Sequence, residues 1–289
     1  MKIDLREFRT PGGENISLKK WATYSRPRYQ SAEHYKELRA ADTAELSALQ
    51  RRLYAANSYS LLLIFQGMDT SGKDGAISHV MAGVNPQGCE VHSFKHPSAE
   101  ELDHDFLWRT TCRLPARGRI GIFNRSYYEE VLITRVHPEI LRSQKIPDEL
   151  TGGKKVWKRR YRSIVELEKH LHRNGTRVLK FFLHLSPEEQ RKRFLERIDE
   201  RDKNWKFSEA DLAERKHWAG YMRAYENCLS ATSTKHAPWH VIPADDKPNA
   251  RLIISRVVIE ELQSLRLKFP KQSSARRKEL RAIRAELAK

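Results

Sequence analysis

One glycine-rich segment has the residue types and the spacing that bind phosphate groups. Residues 67–75 read Gly-Met-Asp-Thr-Ser-Gly-Lys-Asp-Gly, which matches the G-x-x-x-x-G-K pattern of phosphate-binding loops. An apolar run at 61–65 precedes the segment and a helix-compatible stretch at 76–82 follows it, so backbone N–H groups and a helix N-terminus can converge on an anion. We expect substrate phosphates to contact the Lys73 ammonium and the loop residues Gly67, Ser71, Gly72, Asp74 and Gly75.

The carboxylates of this loop indicate a divalent cation. Asp74 stands where such loops usually have Ser or Thr, and Asp69 lies inside the loop. Because carboxylates repel phosphates unless a cation bridges them, we expect Asp69 to hold Mg2+, with Mn2+ as the alternative ion. For Asp74, a helix N-terminal acid that faces the helix dipole is the favoured alternative to a substrate contact.

A second segment, residues 121–130, ends another apolar run and contains Asn124 and Arg125. An aspartate is the expected metal ligand at this position, whereas Asn124 offers only a neutral carbonyl. We therefore expect Asn124 to bind the metal weakly and Glu129 or Glu130, about one helical turn later, to supply the missing charge, with Glu129 as the candidate ligand. Arg125 can neutralise charge on a transferred phosphoryl group. An ordinary ion pair with Glu129 is the alternative for Arg125.

Basic side chains are concentrated in the stretch 154–207. Arg193, Arg197 and Arg201 are spaced by four residues and share one face of a helix. This row follows the strand opposite the phosphate loop, where related kinases place a closing lid. We expect lid helices at about 154–207, with Arg193 and Arg197 facing the substrate, and a solvated charged face is the alternative.

Five short apolar runs alternate with helix-length stretches, which predicts an α/β fold with a parallel five-stranded sheet. The runs occupy residues 61–65, 91–94, 120–123, 178–185 and 239–242. Apolar residues at helical spacing predict helices over 156–172 and 208–229, and a capping box of Ser208 and Asp211 opens the second helix. We expect one domain, built around the phosphate loop, over residues 1–267.

The C-terminal residues 268–289 form a basic tail with helical spacing at Leu280, Ile283 and Leu287. A solvated helix, or one that packs in an oligomer, is favoured over a direct contact with substrate. Residues 143–155, with Pro147, form the clearest loop inside the domain.

Composition narrows the function. The 289 residues include 54 Lys and Arg against 37 Asp and Glu, a formal charge of +17, which attracts polyanions such as nucleic acids or phosphorylated metabolites. The apolar runs are too short to span a membrane, and the N-terminus carries no secretion signal, so we expect a cytoplasmic protein. Cys89, Cys112 and Cys228 have neither disulfide nor zinc spacing.

The chain resembles the polyphosphate kinase 2 family over roughly residues 15–265. Beyond the phosphate loop, the resemblance rests on residues 113–126, 203–207, 232–234, 237–239 and 243–247. It implies a thymidylate-kinase-like, three-layer P-loop fold with a helical lid. It also implies Mg2+-dependent transfer of a terminal phosphoryl group between inorganic polyphosphate and nucleotides. By position, Asp69, Lys73, Arg125 and Arg193 become catalytic residues, and the further substrate-binding residues are Arg113, Arg117, Asn124, Glu129, Arg197 and Lys206.

This chain departs from many family members at one position, because Asn124 replaces the aspartate of their Asp-Arg-Ser-Trp-Tyr segment. The version with Asn resembles the subgroup that phosphorylates both nucleoside mono- and diphosphates. Family resemblance further implies a homo-oligomer, a dimer or a tetramer, and no nucleic-acid partner. Two alternatives stay open: an ATP-dependent nucleoside monophosphate kinase of the same fold, and a nucleic-acid-binding protein with a P-loop.

Overall fold

The computed structural model describes residues 3–153, 155–202 and 204–289, and for Lys206 it describes the backbone alone. Its centre is a five-stranded parallel sheet in the order β2-β3-β1-β4-β5. The strands are β1 (Ser60–Gly67), β2 (Cys89–Ser93), β3 (Ile120–Asn124), β4 (Thr176–His184) and β5 (Trp239–Pro243). All five apolar runs therefore form strands, and the predicted parallel α/β sheet is confirmed.

Thirteen α-helices lie in the described part of the chain. They are α1 (Ala32–Ala56), α2 (Lys73–Met81), α3 (Ala99–Asp103), α4 (Trp108–Thr111), α5 (Ile133–Val136), α6 (Pro138–Arg142), α7 (Asp148–Thr151), α8 (Lys155–Arg173), α9 (Pro187–Asp199), α10 (Glu209–Lys216), α11 (Trp218–Thr232), α12 (Lys247–Ser264) and α13 (Ser274–Leu287). Five 3-10 helices add to them: Leu5–Phe8, Leu18–Lys20, Pro86–Gly88, Tyr127–Val131 and Asn204–Lys206.

The sheet separates two apolar clusters, because successive residues of a strand point to opposite faces. Leu61 and Leu63 of β1 pack on one side with residues of α1, α2 and α12. Leu62 and Ile64 pack on the other side with residues of α8 and α11. All four side chains are fully buried. This three-layer arrangement is the predicted one, and the strands from residue 60 to residue 243 share one sheet.

The structure narrows the predicted lid. The expected range began at Lys154, which lies outside the described residues, and it included α8. However, Ile164 and Glu168 of α8 are fully buried, and Ile164 packs in the apolar cluster on the sheet, so α8 belongs to a core layer. The part of the predicted lid that follows β4 consists of α9 and the 3-10 helix Asn204–Lys206.

Two further helical expectations are refined. The predicted helix over 208–229 divides at His217 into α10 and α11. The tail forms α13, every residue of which is exposed.

The sequence analysis did not assign α1, whose buried apolar residues Leu46, Leu49 and Leu53 lie only in its second half. None of the described helices combines the length and the apolarity that a membrane span requires.

Candidate active site

The phosphate loop follows the central strand and leads into α2. Gly72, just before this helix, has a φ of +99°, a left-handed conformation that favours glycine. At Gly67, a Cβ atom would lie 2.6 Å from the Ser71 hydroxyl and 3.0 Å from the carbonyl of Leu183. Both glycines are therefore required by the path of the backbone, and the helix N-terminus opens at the carboxyl edge of the sheet, where α/β proteins bind ligands.

Lys73 lies under the loop rather than extending from it. Its Nζ donates to the carbonyls of Gly67 at 2.7 Å and Met68 at 3.1 Å, and the side chain is buried. Burial, followed by the nearby positive charge of Arg125, lowers the pKa of Lys73 to about 8. The loop therefore holds an ammonium group whose charge an incoming phosphate would stabilise.

Arg125 joins the second segment to the phosphate loop. Its backbone N–H donates to the carbonyl of Phe65 at 3.0 Å, and its φ of +64° is left-handed. One guanidinium nitrogen donates to Asp69 Oδ1 at 3.0 Å, and the other lies 3.6 Å from Glu129 Oε2. The ion pair with Glu129 considered as the alternative is therefore present, together with a second one to Asp69. Glu129, and more weakly Asp69, raise the pKa of Arg125.

The candidate metal ligands are arranged differently from the expectation. Asn124 Nδ2 donates to Asp74 Oδ1 at 2.6 Å. The amide oxygen is therefore the atom that Asn124 can offer to a metal. Glu129 is buried beside Arg125 and does not line the cleft above the loop. The structure therefore directs the Glu129 carboxylate towards Arg125, and its role as a metal ligand stays a prediction. Burial raises the pKa of Glu129.

Arg193 is buried and its donors are engaged. The side chain of this α9 residue is 3% exposed. Its three nitrogens donate, at distances of 2.6–3.3 Å, to the Glu189 carboxylate and to the backbone carbonyls of Thr70, Ser71, Ala244 and Asp245. These bonds tie the phosphate loop to the segment after β5. These contacts hold Arg193 in place at the wall of the cleft, which it also lines.

Arg197 lies one helical turn after Arg193 and is more exposed. Its side chain is 25% exposed and lies 4.0 Å from Asp211 at the start of α10. It also lines the cleft above the phosphate loop.

The cleft has a volume of about 580 Å3 and a strongly polar wall. Of the residues that the structure describes, every one lining it is charged, polar or glycine. The cations that line it are Lys73, Lys95, Arg125, Arg193, Arg197, Lys247 and Arg251, and the anions are Asp69, Asp74, Glu196 and Glu200. A wall of this composition suits a ligand made of charged oxygen groups, and its described lining has no aliphatic side chain.

A comparison with known families identifies the chain. The sequence profile of polyphosphate kinase 2 matches residues 29–270. The chain belongs to the polyphosphate kinase 2 family. This membership confirms the family predicted from the motifs and the predicted class of enzyme, a polyphosphate-dependent nucleotide phosphotransferase.

Individual relatives agree with this assignment. A protein from Rhodopseudomonas palustris named ADP-polyphosphate phosphotransferase is 61% identical over 289 residues, which cover 100% of both chains. An AMP/ADP-polyphosphate phosphotransferase from Meiothermus ruber is 42% identical over 233 residues, 81% of this chain and 83% of that protein. The crystal structure of polyphosphate kinase 2 from Arthrobacter aurescens TC1 superposes with a TM-score of 0.85 at 39% identity and covers 95% of each chain.

Not every residue that the resemblance nominated lies at the site. Arg117 donates to the carbonyl of Ser58, just before β1, and therefore lies at the amino edge of the sheet. The five-residue strand β3 separates this edge from the phosphate loop by about 16 Å. Arg113 is exposed in the loop between α4 and β3 and lies outside the cleft wall. The structure therefore does not bring Arg113 or Arg117 to the cleft. The side chain of Lys206 lies outside the described residues.

The sequence analysis also missed cations that other elements supply to the cleft. Lys95 follows β2, whereas Lys247 and Arg251 come from the first two turns of α12. Lys247 closes one of the motifs shared with the family, and that was the available signal. Nothing in the spacing of Lys95 or Arg251 points to the phosphate loop, because the sheet topology alone brings them there.

Proposed function

We propose that this enzyme transfers the terminal phosphoryl group of inorganic polyphosphate to ADP and so forms ATP. The observation that carries the proposal is the cleft above the phosphate loop, whose described wall contains seven cationic side chains and no apolar one. Polyphosphate is a linear chain of anionic phosphate groups without any apolar part. The negative charges along the polyphosphate chain are complementary to the cationic side chains of the cleft.

The same observation argues against ATP as the donor. A nucleotide donor with its terminal phosphate on the loop would place its base in or beside the cleft. Nucleotide bases are bound mainly on apolar and aromatic side chains, whereas the described cleft wall has no Phe, Tyr, Trp or aliphatic side chain and offers only the imidazole of His96. The nucleic-acid-binding alternative is disfavoured for the same reason, since a single strand is bound by stacking its bases on aromatic side chains.

ADP is proposed as the main acceptor because the full-length relative at 61% identity is named for ADP. AMP is a second candidate, since the relative at 42% identity is named for both nucleotides and Asn124 resembles the subgroup that accepts both. We also propose that the enzyme assembles as a dimer or a tetramer, as the resemblance to the family implies.

In this proposal, Lys73 and the first turn of α2 hold the donor phosphates, and Arg125 neutralises charge on the transferred group. Arg197 lines the far wall of the cleft and contributes to donor binding. Arg193 acts through the phosphate loop, whose carbonyls it fixes. Alignment and neutralisation are the main requirements of phosphoryl transfer, so no covalent intermediate on the protein is needed.

Magnesium is proposed as the metal, and the available ligands fit it. Within the described residues, no group of three or more His, Cys, Asp or Glu side chains is arranged to hold an ion. The cleft offers the carboxylates of Asp69 and Asp74 and the amide oxygen of Asn124, and these are hard oxygen ligands. Mg2+ commonly uses one or two carboxylates, several waters and substrate phosphates. When bound, the ion would offset the repulsion between these carboxylates and the phosphate chain.

The proposal is tested by incubating the purified protein with Mg2+ and either ADP or AMP, with and without long-chain polyphosphate. We expect ATP from ADP only when polyphosphate is present. Formation of ADP from AMP under the same conditions would establish the second acceptor. Transfer to AMP from ATP in the absence of polyphosphate, with none from polyphosphate, would instead support the monophosphate-kinase alternative.

A further inference from the structure

The C-terminal helix α13 has no role in the proposed phosphoryl transfer. It begins at Ser274 and ends at Leu287, whereas the profile of the family matches only residues 29–270. Residues 265–273, which form neither helix nor strand, connect it to α12. Every residue of α13 is exposed, and the hydrogen bonds and the ion pair that the structure describes for it stay within the helix and its cap.

One face of α13 is an apolar stripe formed by Leu280, Ile283 and Leu287. Their spacing of three and four residues places them on the same side of the helix, where their exposed fractions are 40%, 40% and 84%. A helix of 14 residues is only marginally stable in water by itself, and helices in proteins gain most of their stability by packing an apolar face. We therefore expect another surface to cover the stripe.

The charges beside the stripe are sorted by sign. In the heptad notation of coiled coils, Leu280 and Leu287 take the a positions. The g positions of the helix, on one flank of the stripe, are then Glu279 and Glu286. The e positions, on the other flank, are Arg277 and Arg284. Every g position is therefore acidic and every e position is basic.

This sorting favours one partner in one direction. When two copies of α13 lie parallel, the g side chains of one copy face the e side chains of the other. Glu279 of each copy then lies opposite Arg284 of the second copy, so opposite charges meet on both sides of the stripe. An antiparallel pair would instead place Glu against Glu and Arg against Arg, and like charges repel. The helix is therefore complementary to itself in the parallel direction.

We propose that α13 associates in parallel with the α13 helices of other copies of this chain, through the stripe of Leu280, Ile283 and Leu287. Leu at a with Ile at d favours three or four strands over two, so the inference favours the tetramer of the two assemblies proposed above. Arg276 takes the remaining d position, in the first turn, where it forms an ion pair with Glu279 at 2.7 Å. The inference adds an interface to the proposed assembly and is independent of the proposed phosphoryl transfer.

The first test is Ile283→Lys, with Ala285→Lys as the matched control. Both substitutions add one positive charge to an exposed position of α13, but Ala285 lies on the side opposite the stripe. Sedimentation equilibrium of the full chain measures the dissociation constant of the assembly. It should rise by about tenfold or more in Ile283→Lys, because a lysine replaces a side chain that association buries. The control should stay within about twofold of the wild type.

The second test exchanges the flanking charges. Glu279→Arg and Arg284→Glu each create like charges between parallel copies, so each should raise the dissociation constant by about two- to tenfold, although they change the net charge in opposite directions. The double variant restores opposite charges and should return the constant to near the wild-type value. A stronger association of Glu279→Arg would overturn the inference, because an antiparallel pair would then place this arginine against a glutamate.

The failures are distinguishable. A wild type that forms no ATP from ADP and polyphosphate contradicts the proposed function alone, since the masses still test the interface. An oligomeric wild type whose Ile283→Lys variant, folded by circular dichroism, dissociates no more readily overturns the inference, and the proposed assembly then stands on another interface. A monomeric wild type would overturn both, and cosedimentation of that monomer with phosphatidylserine vesicles would assign the stripe to a membrane surface.

Discussion

The guanidinium of Arg125 donates to the carboxylate of Asp69 at 3.0 Å. This ion pair joins the phosphate loop after β1 to the segment after β3, and both side chains are about one-third exposed to the cleft. The two groups therefore stand where a metal ion and a transferred phosphoryl group would meet opposite charges.

Replacing Asp69 tests its assigned role. Asp69→Asn keeps the shape of the side chain but removes the charge that would hold a cation and orient Arg125, so kcat should fall by about 100-fold or more. Steady-state kinetics at saturating Mg2+ measure the effect. Asp148→Asn, at an exposed position of α7, is the control. A folded Asp69→Asn enzyme with more than about a third of wild-type activity would contradict the role.

Replacing Arg193 should lower stability, whereas replacing Arg197 should weaken donor binding, although only one helical turn separates the two residues. Arg193→Ala leaves the Glu189 carboxylate and four backbone carbonyls without their donor, so the free energy of unfolding should fall by about 3–5 kcal/mol. Arg197→Ala should leave stability nearly unchanged and raise the KM for polyphosphate. Urea unfolding and donor titration measure the two effects. Equal stability of the two variants would show that the contacts of Arg193 are not structural.

Lys180 and Glu168 form an ion pair in which both side chains are fully buried. Glu168 also accepts hydrogen bonds from Tyr127 and Tyr128, which begin the 3-10 helix that carries Glu129. Glu168→Gln should therefore lower the free energy of unfolding by about 3–5 kcal/mol, because it leaves a buried ammonium unpaired. Urea denaturation measures this effect.

A double variant separates the charge from the packing. In Lys180→Met with Glu168→Gln, neither buried charge remains, so much of the lost stability should return. If the double variant is less stable than Glu168→Gln by the full cost of a second independent substitution, the two groups do not act as a pair.

The pKa of Lys73 predicts a pH dependence. Burial and the charge of Arg125 lower this pKa to about 8 in the free enzyme, so Lys73 loses its charge as the pH rises through that value. kcat/KM for polyphosphate reports the free enzyme and should fall above pH of about 8. kcat reports the complex, where phosphate charges raise the pKa, and should persist to higher pH.

The variant Lys73→Arg is the control for the pH dependence of kcat/KM. Lys73→Arg keeps a positive charge throughout the range, so its kcat/KM should not fall near pH 8 whatever its absolute value. The contrary result, an identical fall in both enzymes, would assign the titration to another group.

Lys73 also links stability to pH. Its pKa is depressed on folding, so the unfolded chain holds more protons between pH of about 8 and the ordinary value of 10.5. The destabilisation by the buried charge is present in full below pH 8 and fades as the pH rises to 10.5. Wild-type stability should therefore gain relative to Lys73→Met over this interval.

Contiguous features of this protein were predictable from its sequence. The phosphate loop was predictable because residues 67–75 are contiguous in the sequence and the strand and helix that flank them are its neighbours along the chain. The five strands were predictable because buried parallel strands are short apolar runs. The one charged residue inside the fourth run, Lys180, was a signal for the buried ion pair that the sequence analysis did not use.

Tertiary placement was not predictable in the same way. Arg117 belongs to a motif that also contains Asn124, yet β3 carries the two to opposite edges of the sheet. Helical spacing placed Arg193 and Arg197 on one face of a helix but gave no information on how deeply each side chain is buried. The burial of Arg193 depends on its hydrogen bonds to the carbonyls that follow β5. Arg251 reaches the cleft from α12, more than 170 residues after the loop.

The central claim is that polyphosphate itself supplies the phosphoryl group, and the most direct measurement uses polyphosphate labelled with 32P. The protein is incubated with labelled polyphosphate, unlabelled ADP and Mg2+, and the products are separated. We predict one labelled phosphoryl group in the terminal position of each ATP formed, with no label retained on the protein. Unlabelled ATP accompanied by an equal amount of AMP would contradict the account, because two ADP molecules would then have reacted with each other.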